Sequence, residues 1–197
     1  MSTYMSTQSA DQRLQDMMTQ YCRSPSVYPD MKKLREVLTQ LSDQQKLHIL
    51  QQYYSGWGTP LDRAAHRDDT EVISTLLTSL QSSAYRLKLL MVSKYNTPLH
   101  TAAGLGHTES VKMILDCLTD DHQLQIMSVQ SAGMTAIQIA EECSHTGTAG
   151  RALKEYQQRA ENLMKEEYSK LIIHDLHVTP PSDLTTLSII KHYWGNV

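Results

Sequence analysis

The chain has 197 residues, of which 40% are hydrophobic, and a formal net charge of −3 at pH 7. This composition suffices for one or two folded domains and excludes a disordered chain. The near-neutral balance argues against a nucleic-acid partner, because nucleic-acid binders carry clustered Lys and Arg. No apolar run approaches the roughly 18 residues of a membrane span, and residues 1–20 lack the apolar core of a signal peptide. We therefore expect a soluble protein of the cytoplasm, with the nucleus as the alternative, and no membrane partner.

A degenerate helical unit comes first in chain order. Asp30–Leu41 resembles Asp69–Leu80 at an offset of 39 residues, and it also resembles His107–Leu118. The first helix of this unit is predicted within Asp11–Arg23, although no Thr-Pro-Leu survives there. We assign residues 1–56 to an N-terminal helical region that contains this capping unit.

Three clearer copies of one unit follow at a fixed step of 38 residues. Thr59–Pro60–Leu61 recurs as Thr97–Pro98–Leu99–His100 and then as Thr135–Ala136–Ile137–Gln138. Thr suits a helix N-cap, and Pro suits the first helical position because its missing N–H is not needed there. A second apolar stripe at helical spacing follows each of these strings after a short turn. Each copy is therefore predicted to form a helix, a turn and a second helix.

A further apolar cluster follows the second helix of each unit. The clusters are Leu47–Leu50, Leu87–Met91 and Leu124–Met127, and each follows a stretch rich in Ser, Asp or Thr. Because these residues are favourable N-caps, the pattern predicts a short third helix in every unit. An extended turn then leads to the next Thr.

The end of the chain is predicted as a long helix followed by a short one. Good helix formers dominate residues 146–171, so the second helix of the last unit should continue into a long terminal helix. Pro180–Pro181 interrupts the chain, and Ser182–Asp183 can cap a final helix that ends at Lys191. The remaining domain predictions are the helical repeats at 57–158 and a C-terminal helical extension at 159–197.

The middle unit resembles the ankyrin repeat family. Its Thr97–Pro98–Leu99–His100, followed by Ala102–Ala103 and Gly106–His107, is close to the hallmark string of that family. The resemblance covers Gly56–Tyr156 well and implies an all-α solenoid of three to four repeats with a long C-terminal helix. The unit here has 38 residues, whereas the usual ankyrin unit has about 33. The extra residues fall where the third helix is predicted.

Several polar residues are of the types found in catalytic or metal-binding sites, and the resemblance gives two of them a structural role. It implies that His100 and His107 make structural hydrogen bonds that join repeats. His174 and His177 are possible metal ligands on one helix face, but no third ligand lies at a recognisable spacing. Cys143–Ser144–His145 falls in a repeat turn. We therefore expect no catalytic, cofactor-binding or metal-binding residue, and a protein that is not an enzyme.

The resemblance implies a monomeric adaptor or scaffold that binds a protein or peptide on the concave face of the repeats. In the family, partners contact the tips between repeats and the ends of the first helices. Four of the chain's twelve aromatic residues fall at two adjacent tips, and aromatic side chains are enriched in interface hot spots. The alternative is that these rings pack against the neighbouring tip and the third helices. The predicted partner-binding residues are Tyr53, Tyr54, Trp57, His66, Arg67, Lys94, Tyr95, Leu105, Gln130 and Met134.

Other functions remain open at this point. A self-masked regulator would cover its own binding face with the terminal helix and the Trp194 tail, and deletion of residues 172–197 would then raise partner binding. The chain is alternatively the repeat portion of a larger protein or a delivered effector. An enzyme is disfavoured because the unmatched tail is too short to build a pocket of convergent polar groups.

Overall fold

A computed structural model describes residues 8–54, 56, 58–92, 96–143 and 147–175, with side chains described as far as Glu166. Across these residues the chain forms short helices in a repeating order. The first unit consists of α1 (Ala10–Arg23), α2 (Met31–Thr39) and α3 (Asp43–Leu50). The second consists of α4 (Pro60–Arg67), α5 (Thr70–Thr78) and α6 (Ser83–Leu90).

The third unit repeats this order, and the fourth departs from it. The third consists of α7 (Pro98–Leu105), α8 (Thr108–Asp116) and α9 (Asp120–Ser128). The fourth consists of α10 (Ala136–Glu142) and the long α11 (Gly147–Asp175). These bounds confirm the degenerate first unit, the third helix in each of the first three units, and the long terminal helix.

A short hairpin joins the third unit to the fourth. Strand β1 (Gln130–Ser131) pairs antiparallel with β2 (Met134–Thr135). At the turn, Ala132 and Gly133 have positive φ angles of 51° and 82°. Two consecutive positive φ angles give a two-residue turn the twist that hairpin strands favour, so this tip is a compact β-hairpin.

Threonine caps start the first helices at the predicted residues. The Thr59 hydroxyl accepts the Asp62 N–H at 3.2 Å, and the Asp62 carboxylate accepts the Thr59 N–H at 2.8 Å, which completes a capping box. Thr97 and Thr135 also accept a backbone N–H at the starts of α7 and α10. Pro60 occupies the first helical position of α4, as the sequence predicts.

Equivalent helices of successive units lie next to each other. The first helices α1, α4, α7 and α10 form one row, and α5, α8 and α11 form a second row. The third helices α3, α6 and α9 form another row. Leu61, Ala65, Leu99 and Ala103 are completely buried in the first-helix row, where small alanine side chains allow close approach. Each unit therefore depends on its neighbours to cover its apolar stripe.

The long helix α11 covers the end of the stack. It packs against α8, α9 and α10, and Leu153 and Ala160 are completely buried there. The helix is continuous across the proposed domain boundary between residues 158 and 159. The parts of the tail prediction that lie outside the described residues are Pro180–Pro181, the helix from Ser182–Asp183 to Lys191, and Trp194.

Candidate functional site

The C-terminal ends of α4, α7 and α10 form the surface that we call the first-helix face. Because these helices stack in order, their ends lie side by side. His66 is exposed at the end of α4, Leu105 is 47% exposed at the end of α7, and Glu142 is exposed at the end of α10. This face therefore presents an apolar side chain between two polar ones, across three successive units.

The predicted tip residues differ in exposure. Tyr53 is 52% exposed after α3, Gln130 is exposed in β1, and Met134 is half-buried in β2. Tyr53 and Gln130 therefore present their side chains to solvent. Three predicted partner-binding residues lie outside the described part of the chain: Trp57, Lys94 and Tyr95.

Tyr54, which the sequence predicts as a partner anchor, is buried. Its side chain is only 7% exposed, and its hydroxyl oxygen accepts a hydrogen bond from the Gln15 amide at 3.0 Å. The Tyr54 N–H donates to the Gly58 carbonyl at 2.8 Å, which holds the chain in an extended bridge. Since side chains alternate along an extended chain, Tyr53 faces solvent and Tyr54 packs against α1.

Arg67, another predicted partner-binding residue, makes several contacts inside the protein. Its guanidinium donates to the Val27 carbonyl at 2.9 Å and also to the Ser24 carbonyl. The same group stacks over two rings, with centroid distances of 4.7 Å to Tyr21 and 5.1 Å to Tyr28. These cation–π contacts and hydrogen bonds hold the α1–α2 loop against the second unit, so a partner would have to displace them.

His100 and His107 both make structural hydrogen bonds, and that of His107 joins two units. His100 is 1% exposed, and its Nε2 lies 3.1 Å from the Val129 carbonyl. Because a carbonyl only accepts, Nε2 carries the proton and Nδ1 accepts the Thr97 hydroxyl at 2.7 Å. Burial lowers the pKa of His100, which keeps the ring neutral. His107 Nδ1 lies 2.9 Å from the Ala65 carbonyl of the preceding unit.

Long polar side chains on the third helices join successive units, and sequence analysis did not identify them. The Lys46 ammonium donates to the Ser79 carbonyl at 2.6 Å, at the end of the next unit's second helix. The Arg86 guanidinium donates to Leu80 at 3.0 Å in its own unit and to Cys117 at 2.9 Å in the next. Both side chains satisfy carbonyl groups that a helix end leaves without partners.

The third unit continues this pattern with Gln123. Its amide donates to the carbonyl groups of Leu115 at 2.9 Å and Leu118 at 3.3 Å. Arg159 of α11 then donates to the Gln123 side-chain oxygen at 3.3 Å. The available signal was positional, because each of these residues lies four positions after the N-cap of its third helix. The residues in this series are Lys46, Arg86 and Gln123, after Ser42, Ser82 and Thr119.

A serine, a histidine and an aspartate also meet between α6 and α9. Ser83 Oγ lies 2.6 Å from His122 Nδ1, and Asp121 lies 3.8 Å from His122 Nε2. The residue types are those of a hydrolase triad. However, Ser83 Oγ also accepts the Thr119 N–H at 3.0 Å, so it already caps the start of α9. We interpret the cluster as another connection between units.

The thiols and possible metal ligands give no candidate centre in the described part of the chain. Burial raises the pKa of Cys22 to about 12 and also raises that of Cys117, so both thiols are protonated at neutral pH. Among the described residues, no three His, Cys, Asp or Glu side chains are grouped to hold a metal ion. The side chains of His174 and His177 lie outside that part. No helix within it has the length and apolar character to cross a bilayer.

Comparison with known families agrees with the geometry of the third unit. A family model described as the ankyrin repeat matches residues 94–121, which include α7, α8 and the start of α9. A search of curated proteins returns no match to this chain. Ankyrin repeats are generally modules for protein–protein interaction, and the family is generally non-enzymatic.

Proposed function

We propose that this chain, which carries an ankyrin repeat in an all-α repeat fold, works as an adaptor that binds a protein or peptide. The partner would rest on the first-helix face, which we take as the concave side of the stack. The stacked units act as a rigid support, so the partner would contact a surface several units wide. Catalysis has no part in this proposal.

The observation that carries the proposal is the position of Leu105. A single exposed leucine is common on protein surfaces, but Leu105 is 47% exposed inside the matched repeat, in line with other first-helix ends. His66 and Glu142 provide polar surroundings at the neighbouring ends. An apolar centre with a polar rim is the usual arrangement of a non-obligate interface.

The proposal is tested by comparing two leucines of similar exposure. Leu105→Glu should weaken the affinity for a partner captured from the native cell by about tenfold or more, which corresponds to about 1.4 kcal/mol. The matched control is Leu163→Glu, because Leu163 is 41% exposed on α11, outside the first-helix face. Isothermal titration with both folded variants provides the measurement. Equal affinity of Leu105→Glu and the unmodified chain would exclude this face.

A further inference from the structure

The last turns of the first helices carry charged residues in an order that follows the stack. Arg23 lies at the end of α1, and Arg67 lies at the end of α4. The last turn of α7 has no charged residue and presents Leu105. Glu141 and Glu142 lie at the end of α10. Across the first-helix face and the adjoining end of α1, the order is therefore basic, apolar and acidic.

Arg23 lies on the side of α1 that meets the tip between the first two units. The Thr19 hydroxyl lies 3.5 Å from the Tyr54 hydroxyl of this tip, and Arg23 follows Thr19 by four residues on the same helix face. The Ser24 carbonyl accepts a hydrogen bond from Arg67, so the ends of α1 and α4 lie side by side. The Arg23 side chain is exposed and has no hydrogen bond or ion pair with another described residue.

Arg67 adds a positive charge at the end of α4 that its own contacts do not neutralise. Its guanidinium contacts two carbonyl groups and two aromatic rings, none of which is a carboxylate. Asp68 and Asp69 follow α4, but Asp68 accepts the Ser110 hydroxyl of α8 at 2.6 Å, and Asp69 caps α5. Both carboxylates therefore face the row of second helices.

The two glutamates of α10 lie at the end of a helix where acidic residues are unfavourable. The carbonyl end of a helix carries a partial negative charge, so an acidic side chain there destabilises the helix by about 0.3–1 kcal/mol. Glu141 pairs with Lys154 of α11 at 2.5 Å. Glu142 is exposed and has no hydrogen bond or ion pair with another described residue. The stability of α10 therefore does not account for Glu142.

The apolar centre between these charges is wider than Leu105 alone. Gly104 corresponds to Glu142 at the step of 38 residues and has no side chain of its own. A Cβ at Gly104 would lie 3.1 Å from Cγ2 of Ile139, so the half-buried Ile139 side chain of α10 covers this position. The end of α7 therefore presents apolar surface from two units.

The distances between helix ends determine the spacing of complementary groups in a partner. Packed helices lie about 8–10 Å apart, and an extended chain advances about 3.3 Å per residue. One step between first helices therefore corresponds to about three residues of an extended peptide. A peptide of about ten residues is long enough to pass from α10 to α1.

We propose that the partner contributes an extended peptide segment whose charges run in the complementary order along this surface. The proposed function supplies the premise, and the charge order adds the chemistry of the partner. A basic side chain of the segment pairs with Glu142, and an apolar side chain about three residues away contacts Leu105. An acidic side chain, about three to six residues further along, faces Arg67 and Arg23.

Charge complementarity favours this segment over one of uniform charge. A uniformly acidic segment brings a like charge to Glu142, and a uniformly basic one brings like charges to Arg23 and Arg67. Like charges placed together at an interface disfavour binding. The ends of α1 and α10 are three helix steps apart, which exceeds the Debye length of about 8 Å at physiological salt. Each end therefore selects its own opposite charge, and the order of charges matters more than the net charge.

The test begins with random peptides of about 12 residues, which can span the four helix ends. They are displayed on phage and selected against the immobilised full chain. Selected peptides should carry a basic and an acidic residue on opposite sides of an apolar one. Synthetic copies should bind Glu142→Arg about tenfold more weakly, measured by fluorescence anisotropy, because a like charge then faces their basic residue. Urea denaturation should show this variant to be at least as stable as the unmodified chain, since a cation suits a helix C-terminus.

An exchange of charges distinguishes direct pairing from a general loss of binding. Replacement of the basic peptide residue by Glu should weaken binding to the unmodified chain and restore binding to Glu142→Arg. The matched control is Glu155→Arg, the same charge reversal at an exposed position of α11 outside the first-helix face. This control should keep the affinity of the selected peptides.

The variant Leu105→Glu separates failure of the charge order from failure of the binding face. Selected peptides that lose affinity for Leu105→Glu but show no charge order, or no restored binding after the exchange, would overturn the inference and leave the proposed function standing. Peptides that bind Leu105→Glu and the unmodified chain equally, or a selection that returns no binding peptide, would overturn both.

Discussion

Individual side chains make hydrogen bonds between units, in addition to the apolar contacts in the core. Arg86 and His107 each reach a carbonyl group in a neighbouring unit. Of these, only the role of His107 could be predicted, because it belongs to a string that resembles a known family. Arg86 follows a predicted N-cap by four residues, but a sequence does not show which carbonyl groups lie within reach of a guanidinium.

Substitution of Arg86 should show how much such a connection contributes. Arg86→Met keeps much of the apolar stem and removes the donors to Leu80 and Cys117. Because hydrogen bonds from charged groups contribute about 1.5–3 kcal/mol, we expect the free energy of unfolding to fall by about 2 kcal/mol. Urea denaturation measures this fall in the free energy of unfolding. The control is Lys88→Met, on the exposed side of the same helix. An equal loss in both variants would contradict the assigned role.

The buried His100 should make stability depend on pH. Burial lowers its pKa in the folded state, so the unfolded chain, with an ordinary His pKa of about 6.5, binds the proton more readily. Its contribution to stability is complete above about pH 6.5 and declines as the pH falls below that value. His100→Gln cannot titrate and should show a shallower decline between about pH 7 and pH 5.

Urea denaturation at several pH values measures the free energy of unfolding of His100→Gln and of the unmodified chain. If the free energy of unfolding changes with pH in the same way for His100→Gln and the unmodified chain, the His100 ring does not cause the pH dependence.

At the scale of elements, helix starts were predictable and tip conformations were not. Thr59, Thr97 and Thr135 each cap a helix as their sequence context indicates. The orientations of Tyr53 and Tyr54 could not be derived from the sequence, because they depend on contacts with α1. Gln15 lies 39 residues before Tyr54 in the chain, and no local pattern records that contact. The exposed and the buried tyrosine therefore looked equivalent.

Substitution of two glycines before α4 distinguishes the stability cost of backbone strain from the cost of disturbing a helix cap. Gly56 and Gly58 both have positive φ angles, 85° and 75°. A Cβ at Gly56 meets no atom within 4 Å, whereas one at Gly58 would lie 2.5 Å from the Asp62 carboxylate that caps Thr59. Gly56→Ala should cost about 1 kcal/mol from strain, and Gly58→Ala about 2–3 kcal/mol because the cap is also disturbed. Equal losses in thermal or urea unfolding would contradict the role of the cap.

At the scale of the whole molecule, repetition made the architecture predictable. A fixed step of 38 residues revealed the stacked units, and the 39-residue offset revealed the degenerate first unit. The position of the α1–α2 loop left no such signal, because this loop lies where the repetition stops and Arg67 of the second unit holds it in place. The partner surface is predictable only as a row of first-helix ends, since repeats determine a shape and not a ligand.

The mutual dependence of the stacked units is measured most directly by unfolding a series of fragments. The third unit alone (96–129), the second and third units together (58–129), and the full chain would be compared by circular dichroism during urea denaturation. We expect the single unit to lack a cooperative transition, because Leu99 and Ala103 would lose the neighbours that bury them. Stability should then rise with each added unit. A single unit that unfolds cooperatively, with the helicity it has in the full chain, would contradict the stacked architecture.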